Sequence, residues 1–329
     1  MEPLVQKIVV VGGNGFVGSA VCRAALTRGF QVTSISSSGR PYRTPKGHAP
    51  AWTSKVNWLK ADAFQPETYA HLLPGATAVV HTLGTLLEDA RYKAALQEGN
   101  IPALMRAFAS GLPGGRNPLE DPHKEGGYQQ LNHDAAIRVC DAFVNSKPEV
   151  ELPNPRAFVY VSAEDIFRPF ISARYIETKR QAERDIDRMM ESNSAYRGVY
   201  IRPSLIYHPH FRPLTSPLAV ILEASASLHS KVPKGLPTPS GFFRSLAQRT
   251  QGTSPTLVSP SPLDSVANAL TIPPIHVDHV GEAICIAADN AREDVRGVVD
   301  VQEMRHLIGW VEKGQQASET VKLGQQPQA

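Results

Sequence analysis

Cysteine is scarce in this chain. The three present, Cys22, Cys140 and Cys285, are odd in number, widely separated and set in apolar periodic stretches. That spacing excludes a disulfide framework and a cysteine-based zinc site, and they read as reduced core residues. No apolar run approaches the roughly 18 residues a membrane-spanning helix needs. There is no dense run of one charge either. The 34 Lys and Arg are interspersed with 31 Asp and Glu for a formal net charge of +3, which gives no argument for nucleic acid and leaves weak adhesion to an anionic membrane surface open. Only Met1 to Gln6 precede the first apolar run, and this leader carries Glu2. A cleavable presequence is not expected there, so entry into an organelle would use an internal signal or follow removal of a presequence. Acid is also missing locally, since no Asp or Glu occurs between Phe30 and Asp62.

What is there begins with Ile8-Val9-Val10-Val11-Gly12-Gly13-Asn14-Gly15-Phe16-Val17-Gly18. A β-branched run breaks into glycines at 12, 15 and 18, then resumes at helical spacing through Val21, Ala24, Ala25 and Leu26, which reads as strand, tight turn, helix. In a dinucleotide-binding turn Gly12 permits the sharp reversal, Gly15 the approach of a pyrophosphate, and Gly18 the close packing of helix on strand, with the phosphates at the helix N-terminus. Gly29 is placed to end the helix. The next strand, Gln31 to Ser36, runs into Ser37-Ser38-Gly39-Arg40. An acid near this position takes the ribose hydroxyl of NAD, whereas Arg suits the phosphate of NADP. The serines, Arg40 and Arg43 therefore favour NADP(H), with NAD(H) as the alternative. Arg40 is otherwise a solvated loop residue.

Further strands are expected at Val56–Lys60, Thr77–Thr82, Ala157–Val161 and Gly198–Pro203, with helices starting at Pro66 and spanning Tyr128–Val144. Asp62-Ala63, at a strand end, reads either as a cap on the adenine side or as a cap on the next turn. Short links between alternating strands and helices imply an α/β fold, a Rossmann-type doubly wound parallel sheet. Residues 1–205 read as the NAD(P)-binding domain and 206–312 as a small C-terminal substrate lobe of the same unit. The tail 313–329 is polar, aperiodic and expected to be disordered. The stretch from Leu86 to Gly127, with a helix around Tyr92 to Leu96, reads as a binding or lid insertion.

Thirteen residues after Ser162 comes Tyr175, with Lys179 four further on. That spacing sets phenol and ammonium on one helix face. A cation beside a tyrosine favours its phenolate, and Lys179 can also hold the nicotinamide ribose while Tyr175 exchanges a proton with a carbonyl or alcohol. Ser162, at a strand end, would steady the substrate oxygen, and Asn132 could orient the lysine through water. The plain alternative is an exposed helix with an i,i+4 pair.

Together these residues resemble the extended, atypical branch of the short-chain dehydrogenase/reductase superfamily. His81-Thr82-Leu83-Gly84, Asn117-Pro118-Leu119, Ser162-Ala163-Glu164-Asp165 and Tyr175-x-x-x-Lys179-Arg180-x-Ala182-Glu183 carry the resemblance further, toward a group with fungal mitochondrial members associated with coenzyme Q biosynthesis. That group is itself similar to the nucleotide-binding accessory subunit of respiratory complex I. The resemblance implies a matrix-side protein peripheral to the inner membrane, partnered with quinone-biosynthesis enzymes or a membrane-associated assembly. It implies catalytic roles for Ser162, Tyr175, Lys179 and Asn132, and a polyprenyl quinone-like ligand. The cofactor contacts would come from Gly12, Asn14, Gly15, Phe16, Val17, Gly18, Ser36, Ser37, Ser38, Arg40, Asp62, Ala63, His81, Leu83, Gly84, Tyr175, Lys179, Arg202 and Pro203. Two departures, Val11 where Thr is common and Ser204 where Gly is usual, bear on the nicotinamide side.

Beyond Tyr207, His208-Pro209-His210 reads as a turn and not a metal site. Leu218 to Leu228 reads as a packing helix that in this group could line a substrate cavity or rest on a membrane. Pro233 to Pro262 reads as a mobile segment with an amphipathic insert around Phe242, Phe243 and Leu246, where a polyprenyl tail would lie. The His and Asp of Ile275–Ala283 read as local caps, before a last strand at Val298–Val301 and a helix from Glu303.

Overall fold

A computed structural model describes residues 5–86, 127–149, 151–168, 171–191, 193–211, 215–233, 236–250 and 261–310. Strand β1 (Lys7–Val11) has alternating side chains that are buried on both faces, because helices cover the sheet above and below. Helix α1 (Phe16–Thr27) follows, and Gly29 ends it at φ +78° as expected. Strands β2 (Gln31–Ser36), β3 (Asn57–Lys60), β4 (Ala78–His81), β5 (Arg156–Val161), β6 (Tyr196–Ile201) and β9 (Gly297–Val299) complete a seven-stranded sheet. Its order is β3-β2-β1-β4-β5-β6-β9 and every pairing is parallel. The order reverses between β1 and β4, which opens a crevice at the C-terminal ends of the strands. Strands β7 (Ile206–Tyr207) and β8 (Ile275–His276) form a separate parallel pair.

The two faces have separate cores. Val9, Val11, Val79, Phe158 and Tyr160 pack beneath α2 (Ala135–Val144) and α3 (Ala173–Glu191). Ile8, Val10, Val80, Val159 and Val199 pack beneath α1, α7 (Val277–Ala288) and α8 (Val301–Leu307). Gly281 lets α7 approach α1, since a Cβ there would lie 2.7 Å from the Ala20 carbonyl carbon. All three cysteines are free and buried, as expected. Arg156 is buried at the start of β5, where it stacks 4.3 Å over Phe143 and donates to the carbonyls of Ala76 and Leu73 and to the Tyr196 hydroxyl.

Other segments differ from expectation. Pro66 starts two 3-10 turns, not one helix. The helix expected from Tyr128 opens as a π-helical turn, Gln129–Asp134, whose Asn132 carbonyl accepts the Tyr160 hydroxyl. The stretch from Pro233 to Pro262 contains a full helix, α5 (Pro239–Thr250), after α4 (Thr215–Lys231). A further helix, α6 (Pro262–Thr271), begins with a reciprocal Ser261–Asp264 capping box. The expected Tyr92–Leu96 helix, most of the 86–127 insertion and the 313–329 tail lie outside the described residues.

Candidate active site

The glycine turn closes as its spacing requires. Gly12 sits at φ +83° and donates its N–H to the Ile35 carbonyl at 2.8 Å, which ties the turn to β2. A Cβ on Gly18 would lie 2.2 Å from the Gly12 oxygen, so no larger residue fits the helix against the turn. Gly15, exposed and extended, N-caps α1 without a side-chain cap, and the first turn holds no acid. The positive end of the helix dipole is thus uncompensated and bare of side chain at the cap, the arrangement that accommodates a pyrophosphate. Phe16 and Val17 are half-buried in that first turn.

The rim beyond β2 is a hydrogen-bonded set of hydroxyls. Asn14 Nδ2 donates to Ser38 Oγ at 3.1 Å and to the Arg40 carbonyl at 3.4 Å, and Ser36 Oγ accepts from Gly39 N at 3.1 Å. Ser37, Ser38 and Arg40 line this rim at the surface. Asp62 Oδ1 accepts from Phe64 N at 2.9 Å, so of its two expected uses the local cap is the one observed, and Ala63 is buried beside it.

Beyond β4, Leu83 lies over Gly12, and Gly84 is the meeting point of three groups. A Cβ on Gly84 would lie 2.7 Å from Lys179 Nζ and 3.0 Å from Asn132 Oδ1. Asn132 is fully buried and its amide is spent on the Thr85 backbone, accepting from N at 2.9 Å and donating to O at 3.2 Å. His81 is sealed under the sheet against Tyr160 and Phe158, and neither ring nitrogen has a protein partner. Burial, reinforced by Lys179, pushes its pKa down to about 3.

Tyr175 and Lys179 share the inner side of α3. Lys179 is 3% exposed, donates to the Val161 carbonyl at 2.9 Å, and stands 4.7 Å above the Tyr160 ring. Burial pushes its pKa down to about 7, against the pull of Glu183. Tyr175 is half-buried by surface area, with its ring 5.9 Å from Tyr128. Its dense surroundings push the phenol well up, Tyr128 adds to this, and the charge that pulls it back is Arg180. The cation that lowers it is thus the neighbour of the expected Lys179, one residue along.

Ser162 faces that neighbour. Its Oγ accepts from Arg180 Nη1 at 3.1 Å, and Arg180 also donates to Glu183 at 2.7 Å. Arg202, just past the end of β6 and beside the buried Pro203, grips the same Glu183 of α3 with two bonds, one of 3.0 Å, so this guanidinium is committed to a carboxylate. Burial alone would raise Glu183, but its bonds to Arg202 and the nearby Arg180 hold it below the usual carboxylate range. Arg180, Glu183 and Tyr160 were not singled out as site residues from sequence. The i,i+3 Arg180–Glu183 spacing was the available signal for the first two, whereas Tyr160 looks like any other strand residue.

His208, His276 and Asp278 converge, with their ligand-type atoms within 4.8 Å. His208 Nδ1 accepts from the N–H groups of His210 at 3.1 Å and Phe211 at 3.3 Å, His276 Nδ1 accepts from Asp278 N at 3.2 Å, and Asp278 pairs with Arg23. A neutral ring accepting at Nδ1 carries its proton on Nε2, so these rings serve as caps for a turn and for α7. The turn at His208 and the cap at His276 are those that the sequence suggests.

A parallel seven-stranded sheet with a glycine turn at its switch point and a buried lysine on the helix after β5 defines an NAD(P)-binding Rossmann protein of the short-chain dehydrogenase/reductase type. The model of the NAD dependent epimerase/dehydratase family matches residues 8–109. MIOREX complex component 2 of Saccharomyces cerevisiae is 36% identical over 213 residues, 63% of this chain and 75% of that protein. The chain belongs to this epimerase/dehydratase family within the short-chain dehydrogenases/reductases. Two solved structures share the fold. A 3-oxoacyl-[acyl-carrier protein] reductase from Brucella melitensis in complex with NAD has 12% identity and a TM-score of 0.52, over 94% of this chain and 100% of that one. A short-chain dehydrogenase/reductase family oxidoreductase from Burkholderia thailandensis has 13% identity and a TM-score of 0.50, over 97% and 98%.

Proposed function

We propose that this chain binds NADP(H) and reduces a carbonyl, or oxidises the corresponding alcohol, on a quinone precursor in mitochondrial ubiquinone synthesis. The observation that carries the cofactor choice is the rim after β2, where Asn14, Ser36, Ser38 and Arg40 stand together and no carboxylate occurs from Gln31 to Ala61. The bare α1 N-terminus would take the pyrophosphate, and Leu83, Gly84 and Lys179 would flank the nicotinamide side. When bound, the cofactor supplies or accepts the hydride.

The chain's own part is the proton. Tyr175, like any phenol, is protonated at neutral pH, and burial raises it further, which suits a donor in the reducing direction. Lys179, near neutrality, can restore that proton and hold a ribose hydroxyl. Ser162 would orient the substrate oxygen only by sharing its hydroxyl with Arg180. That commitment favours a second reading, in which bound NADP(H) stabilises a scaffold that assembles partner enzymes without turnover. The likeness to MIOREX complex component 2 supports a place in an assembly, and we place it on the matrix side, peripheral to the inner membrane.

Thermal unfolding with each of the four nicotinamide cofactors tests the first step. NADPH should raise the midpoint more than NADH, and Arg40→Ala should remove that preference. No shift with any cofactor, once copurified nucleotide is excluded, would refute it. Tyr175→Phe then separates the readings, since unchanged cellular quinone levels and partner binding would leave the scaffold.

A further inference from the structure

Large apolar side chains exposed on the described residues are concentrated in one stretch of the sequence. Eight of the eleven fall between Leu218 and Leu246, on α4, α5 and their link. On α4 the packed side is small, with Ala219 and Leu222 against Ile166 and Leu205. Leu218, Ile221 and Leu228, at spacings of three and seven, form a second, exposed apolar stripe that flanks that side, and Val232 continues it just past the helix end. Ile221 and Leu228 are 65% and 67% exposed, more than most surface leucines of a monomer need to be. Phe242 and Leu246, four apart on α5, are also exposed. A helix apolar on both sides has a second environment to satisfy.

Charge identifies that environment. Between Phe211 and Pro262 the sequence has five cations, Arg212, Lys231, Lys234, Arg244 and Arg249, against the single acid Glu223. Glu223 is already paired with Arg305 at 3.0 Å. The rest of the chain is close to neutral, so its basic excess falls within the stretch of sequence that carries the apolar stripe. Among the described residues of α4 and α5 the one acid is already paired, so two copies meeting face to face would set like charges together. No helix among the described residues is long and apolar enough to cross a membrane, so contact with lipid would be one-sided.

We propose that the outer side of α4 and α5 is a docking face for an anionic lipid surface, with its leucines, isoleucine and phenylalanine entering the headgroup boundary and Lys231 and Arg244 above it. This names the face that a peripheral membrane position would use, and it does not depend on the redox reading, because vesicle binding is measured on the chain without cofactor.

The test is flotation of the full-length chain with vesicles of phosphatidylcholine alone or mixed with phosphatidylglycerol, at low and high salt. The chain should float with the anionic vesicles, less so as salt rises. Ile221→Glu combined with Leu228→Glu should weaken binding by at least about tenfold, since several buried methylene groups are lost. Phe242→Ser should weaken it independently. Both changes are at exposed positions, so unfolding midpoints should hold and certify the fold. The proposal is overturned by no flotation, by equal flotation on neutral vesicles, or by a double variant that floats like the parent. It is also overturned if the parent is a dimer that does not float and the double variant is a monomer, which would assign the face to a second copy.

Discussion

Replacing Lys179 with methionine should change how stability depends on pH. The ammonium is buried, has one carbonyl partner and an aromatic face, and its pKa is pushed down to about 7. In the unfolded chain a lysine titrates near 10.4. Between these values the unfolded chain holds a proton that the folded chain has shed, so this group makes folding more favourable as pH rises through the window. Linkage with those two pKa values gives a gain of about 2 kcal/mol from pH 7 to pH 9. Lys179→Met lacks it, and methionine fills a similar volume without a charge. Urea unfolding of both proteins, free of cofactor, at a series of pH values isolates the effect, because all other groups are common to both. The variant's stability relative to the parent should fall by about 2 kcal/mol across that window. A difference that stays flat with pH would mean that Lys179 keeps its proton in the folded state, and the account of this site would be wrong.

Gly18→Ala should abolish any nicotinamide-cofactor shift in the unfolding midpoint, because the added methyl would meet the Gly12 carbonyl and push α1 off the turn; an unchanged shift would show that the turn tolerates a side chain. Arg156→Ala should cost about 3 to 5 kcal/mol in urea unfolding, since it strands several buried carbonyls and removes the stack on Phe143. Glu183→Gln should cost a similar amount, about 3 to 5 kcal/mol, by leaving Arg202 and Arg180 without their carboxylate. Because Glu183 is held below its ordinary value, its contribution is present above the unfolded pKa and lost as pH falls through the folded one. The Gln variant should therefore lose less stability than the parent on acidification, and parallel acid-unfolding curves would contradict this.

The glycine turn and the strands were legible because their signals are local. A β-branched run such as Ile8 to Val11, stopped by glycine, needs no knowledge of distant residues to read as a buried parallel strand. Ala78–His81 and Arg156–Val161 are legible on the same ground. Helices α5 and α6 were hidden by composition. Their Pro239 and Ser261-Pro262 look like loop residues, yet proline and serine are also what starts a helix. The π-helical turn was illegible for another reason, since it is fastened by the Tyr160 hydroxyl from a strand 28 residues away. The orientation of Ser162 depends on Arg180, 18 residues on, and so could not be read from its strand-end position.

The position of β9 sets a schedule for the molecule. This strand closes the edge of the sheet beside β6, and α7 lies across α1 on the face above β1, although both follow β1 by more than 250 residues. At synthesis rates of roughly 5 to 20 residues per second, Val10 and Val80 wait about 15 to 60 s after β1 is made before α7 completes the cover that α1 begins. A nascent chain halted near residue 205 would present an apolar sheet face covered by α1 alone. Newly made copies therefore pass through an adhesive stage that finished ones do not share, and the cell must shield them until the last helices arrive.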